Sequence, residues 1–117
     1  MKALAQSLLL SVMVLMGASL APAQEDLQRQ GREMLATQCS RCHAIDSTGN
    51  SPHRDAPPFR TLNRRYPIEY LAEALAEGLS TGHPDMPEFI FEVQEVNAIL
   101  AYLESIQDTK SAPRSKR

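Results

Sequence analysis

The chain has no tryptophan, three phenylalanines, three tyrosines and two cysteines in 117 residues. So few aromatic rings leave a small domain with a thin core, which would fold more securely around a large apolar group supplied from outside. Two cysteines cannot build a disulfide framework. Lysine is absent from residues 24 to 109, where seven arginines stand against fourteen carboxylates. A domain of that sign argues against nucleic acid as a partner. No stretch alternates like a strand and no segment repeats, so the expected fold class is all-α.

Long hydrophobic runs are missing except at the start. Lys2, an apolar run from about Leu8 to Leu20, and the small residues Ala21-Pro22-Ala23 give the three-part layout of a secretory signal peptide, with cleavage expected near Ala23. The run is shorter than the roughly 20 residues a bilayer span needs, so no membrane span is expected after processing. No cysteine follows the cleavage region, which argues against a lipoprotein. The expected organisation is a signal peptide at 1–23, one domain at 24–108 and a disordered basic tail at 109–117, where Lys110, Arg114, Lys116 and Arg117 cluster.

Apolar spacing within the domain predicts a helix from about Glu25 to Gln38, with Leu27, Met34 and Leu35 on one side and Glu25 and Asp26 at its N-terminal end. Residues 44–58 read as an irregular loop, and a short helical piece is expected across "FRTLNRRY". Pro67 suits the first position of a helix through "PIEYLAEALAEGL" that stops at Gly78. "STGHPDMPEF" reads as a loop. A last helix, about Ile90 to Ile106, carries Val93, Val96, Ile99, Leu100, Leu103 and Ile106 as an apolar stripe.

The chemistry sits in "CSRCH", residues 39–43. In C-x-x-C-H two thiols lie one helical turn apart, each able to add to a vinyl group, and His43 is then held beneath a haem iron. Other readings compete. A thioredoxin-like dithiol wants a βαβ setting, which is not seen. A zinc site needs four ligands, and beyond Cys39, Cys42 and His43 only His53 and His83 remain, at unusual spacings. A Cys39–Cys42 disulfide is compatible with export but leaves His43 without a purpose.

Taken in order, "GREMLATQCSRCHAI", "APPF", "GHPDMPEF" and "VNAILAYLESI" resemble the class I mono-haem cytochromes c, over about residues 27 to 107. The resemblance implies three to five helices around one covalent haem c, joined through Cys39 and Cys42, with His43 and Met86 as the iron's axial ligands. His83 and His53 are the competing ligands on the Met86 side. The family's partner for the proximal imidazole is a proline carbonyl, here Pro57, with Pro58 as the alternative. Gly31 and Tyr102 match positions where the first and last helices of the family cross. Leu35 stands where most members carry an aromatic ring. Arg60, Arg64 and Arg65 could pair with haem propionates or form a solvated face, and Tyr66 and Tyr70 are hydroxyl candidates for the same groups.

These features point to a soluble, monomeric periplasmic one-electron carrier that is not an enzyme and meets redox protein partners. The alternative is a haem-bearing subunit of a larger periplasmic oxidoreductase, with the basic tail as its arm. Either way the lysine ring of mitochondrial-type relatives is missing, so docking is expected through an apolar haem-edge patch with arginine or acidic rims.

Overall fold

A computed structural model describes residues 20–108. The expected signal peptide thus lies almost wholly outside the described residues, and the tail at 109–117 lies entirely outside them. Among the described residues the secondary structure is all helical. It comprises α1 (Leu20–Gln38), two short 3-10 helices (Phe59–Arg64 and Ile68–Tyr70), α2 (Leu71–Glu77) and α3 (Val93–Ile106).

Helix α1 starts earlier than the sequence suggests, so Glu25 and Asp26 are not in its first turn. Asp26 instead accepts hydrogen bonds from Arg29 and Gln30, and Arg29 also reaches Glu33. Such pairs, three and four residues apart, stabilise an exposed helical face by tenths of a kcal/mol each. Leu35, on the opposite face, is buried at 3% exposure.

Beside it Gly31 does a job no other residue could. A Cβ there would collide with the backbone carbonyl of Ala98, with the amide nitrogen of Ile99 next nearest, so α1 and α3 cross backbone to backbone at this point. The predicted crossing is present, with a different contact: the nearest atoms belong to Ala98 and Ile99 rather than to Tyr102.

Helix α3 begins at Val93, three residues later than expected. Glu92 caps it: its side chain accepts from the third-residue amide, while Glu95 accepts from the Glu92 amide at 2.9 Å. Ile90 and Val93 lie outside the buried stripe, at 68% and 70% exposure. The packed face is Val96, Ile99, Leu103 and their neighbours, with Ile99 fully buried.

The middle segment reads largely as expected, except that it opens with a 3-10 turn after Pro67 before becoming α2. Gly78 ends α2 with φ 114°, a backbone conformation that side chains oppose. Leu35, Phe59, Leu62, Ile68, Leu71, Leu75, Ile99 and Leu103 belong to one core cluster. Among the described residues no helix is long and apolar enough to cross a membrane.

Candidate haem site

At the C-terminal end of α1 the chain turns tightly: the Cys42 and His43 amides both donate to the Cys39 carbonyl, at 3.1 and 2.9 Å. That turn brings both sulfurs and the imidazole to one wall of a cleft of about 1420 Å³. Both thiols are free. Burial, with a smaller contribution from Cys42, pushes the Cys39 thiol up to about 11, so in the polypeptide alone it stays protonated at neutral pH.

His43 is fixed on two sides. Its Nδ1 lies 2.8 Å from the Pro57 carbonyl oxygen. A carbonyl only accepts, so Nδ1 carries the proton and Nε2 keeps its lone pair. Phe59 holds the ring plane, its centroid 4.5 Å away. Burial lowers the imidazole's pKa and keeps it neutral, against the Pro57 hydrogen bond, which acts the other way. The choice between the two prolines follows from the loop: the Pro58 carbonyl already accepts from the Thr61 amide and hydroxyl, at 3.0 and 2.8 Å. Two further bonds hold this loop, Phe59 N–H to the Ala44 carbonyl and Ala44 N–H to the Ser51 hydroxyl, both 3.0 Å.

Met86 lines the same cleft, in the loop after α2. Its sulfur accepts a hydrogen bond from the Thr81 hydroxyl at 3.6 Å. The Phe91 amide, donating to the Leu75 carbonyl at 2.9 Å, ties the end of that loop to α2. The competing histidines are engaged elsewhere: His53 Nε2 faces the Asp85 carboxylate at 3.2 Å, and His83 Nε2 faces Asp55 at 3.8 Å.

The three arginines separate. Arg60 donates to the Gly49 carbonyl at 2.8 Å and Arg64 pairs with Asp108 at 2.9 Å, while Arg65 lines the cleft together with Tyr66 and Tyr70. Sequence reasoning missed a carboxylate: Asp46 accepts two bonds from Arg32, at 2.9 and 3.1 Å, and one from the Tyr102 hydroxyl at 2.9 Å. It ties α1, the loop after the cysteine motif and α3 together. No local pattern marks it, because its partners lie 14 and 56 residues away.

The donor set fits a haem. Aliphatic and aromatic side chains, among them Leu35, Phe59, Leu75 and Ile99, line the cleft together with two cysteines, an imidazole with a free lone pair and a methionine.

Residues 28–107 match the family model described as cytochrome c. The chain is also 30% identical over 77 residues to cytochrome c-552 of Bradyrhizobium diazoefficiens, an alignment covering 66% of this chain and 72% of that protein. No solved structure matches the chain at comparable significance. The chain belongs to the cytochrome c family, as a class I member with covalently bound haem c, and its role is electron transfer.

Proposed function

We infer that the chain is a soluble periplasmic one-electron carrier, in which Cys39 and Cys42 form the thioethers and His43 and Met86 hold the iron. The observation that carries this reading is the junction of all four side chains in one apolar cleft, with His43 Nε2 left as the free donor by the Pro57 hydrogen bond. The haem iron, once bound, takes up and releases one electron.

The protein's part would be to supply two donors to the iron, His43 and Met86. Pro57 and Phe59 orient His43, which strengthens Nε2 as a donor. The Met86 thioether favours the ferrous state and so a higher potential than a second imidazole would give. The Thr81 hydroxyl orients that sulfur. Two protein donors to the iron, His43 and Met86, would suit it to electron exchange, which supports a carrier over an oxygen- or peroxide-handling enzyme. Arg65 lines the cleft, as Arg41 does, and a guanidinium there suits a propionate.

Export through a signal peptide at 1–23 belongs to this reading. Cleavage near Ala23 removes the first turn of α1 and leaves Glu25 and Asp26 at the new helix start, where the macrodipole favours them. The expected partners are redox proteins met through a small transient interface.

Intact mass and a reduced-minus-oxidised spectrum of the exported protein test the reading. One haem added to a chain shortened near Ala23, with the far-red charge-transfer band of a sulfur-ligated ferric iron, is the expected result. A bare polypeptide overturns it, and rapid carbon monoxide binding to the reduced form overturns the assignment of Met86.

A further inference from the structure

Two H-x-D turns face each other at the cleft, His53-Arg54-Asp55 from the loop after the cysteine motif and His83-Pro84-Asp85 from the Met86 loop. They are built alike. In each, the histidine Nδ1 accepts from the amide of its own aspartate, at 3.2 Å in the first turn and 3.3 Å in the second. In each, Nε2 points across to the other turn's carboxylate, His53 to Asp85 at 3.2 Å and His83 to Asp55 at 3.8 Å. The two rings meet edge to face with centroids 5.4 Å apart. One ligand atom each from His53, His83 and Asp85 falls within a 4.8 Å set.

We propose that this cluster, on the lining of the same cleft, is a second metal site for a divalent ion of zinc's kind held by His53, His83 and Asp85, with Asp55 beside His83 as a fourth donor. Two imidazoles and a carboxylate suit a borderline transition ion, whereas magnesium and calcium prefer all-oxygen shells. The 3.2 Å between His53 Nε2 and the Asp85 oxygen is the spacing of neighbouring ligands around a tetrahedral ion with bonds of about 2 Å. Small closing movements bring in the others. Both imidazoles are part-exposed and Asp85 is exposed, so an ion reaches them from solvent. On binding, the metal replaces the Nε2 proton and the proton moves to Nδ1. Each ring then gives up the weak bond from its own turn.

The chain's histidine content sharpens the case. Three histidines exist in all, and His43 is committed to the cleft wall, so His53 and His83 are the whole remaining supply of imidazole and they stand side by side. A bound ion would tie the Met86 loop to the loop that follows the cysteine motif.

The test is calorimetric titration of the oxidised holoprotein with Zn²⁺, repeated with Mg²⁺, on the wild type and on His53→Gln, His83→Gln and Asp85→Asn. Saturable binding of one Zn²⁺ per chain, no response to Mg²⁺, and a loss of affinity in each histidine variant of at least the roughly 10- to 100-fold that an outer-shell partner is worth supports the site. Absence of saturable Zn²⁺ binding overturns it, as does unchanged affinity in both histidine variants. His53 belongs to the loop after the cysteine motif and not to the Met86 loop itself, so His53→Gln leaves the sequence of that loop intact and carries the test if His83→Gln disturbs it. The far-red band, recorded alongside, reports on Met86 ligation alone and keeps failure of the haem reading distinct from failure of this one.

Discussion

Asp46 shows how one side chain can serve the site without touching it. Its carboxylate accepts from Arg32 and Tyr102, and those bonds hold its pKa below the ordinary 3.8. Burial, helped by the bond to Asp46, pushes Tyr102 in turn up to about 12. Below pH 3.8 the unfolded chain binds more protons than the native one, so Asp46 contributes stability above that pH and loses it as pH falls toward its lower native value. Denaturant midpoints of wild type and Asp46→Asn should therefore differ at neutral pH and converge in acid. Curves that stay parallel down to pH 2 would remove Asp46 from this role. At this scale the sequence was legible wherever a group reads locally, as in Cys39, Cys42 and His43. The family resemblance alone puts Pro57 ahead of Pro58, and the Pro57 carbonyl is the one at His43. The pairing of His53 with Asp85 needed the loops in place, because a contact spanning 32 residues leaves no periodic trace.

The decisive encounter between elements is α1 against α3 at Gly31. Gly31→Ala places a methyl group into the Ala98 carbonyl, a backbone atom that cannot rotate away. Overpacking of this kind costs about 1–3 kcal/mol, and the axes must part for the helix pair to survive. Chemical denaturation should show a midpoint lowered accordingly, and an unchanged midpoint would mean that the crossing is looser than its geometry. The helices themselves were readable because apolar spacing of 3.6 residues records burial directly. Their ends were less so: Glu92, not one of the usual serine, threonine or aspartate caps, starts α3, which puts Ile90 outside the helix and leaves Val93 exposed despite its place in the apolar pattern. The extra turns at the start of α1 include Pro22, tolerated where early amides lack helical partners anyway.

For the whole molecule, the aromatic-poor composition and the wide cleft express the same fact. Core residues such as Leu35, Phe59, Leu75 and Ile99 also line the cleft, so the cofactor completes the interior. The double variant Cys39→Ala, Cys42→Ala should accumulate poorly and lack native helicity by circular dichroism, because the remaining contacts cannot offset the conformational entropy of folding. Native-like helicity in that variant would show the polypeptide to be self-sufficient.

The tight turn at residues 39–43 has one more consequence. Both sulfurs come from a single turn, so joining them to one cofactor closes almost no chain and restricts the denatured ensemble far less than a long-range crosslink would. What the bonds abolish is escape by mass action. The denatured protein still carries its own pigment, and the transition midpoint should be the same in a dilute cuvette as in a crowded compartment.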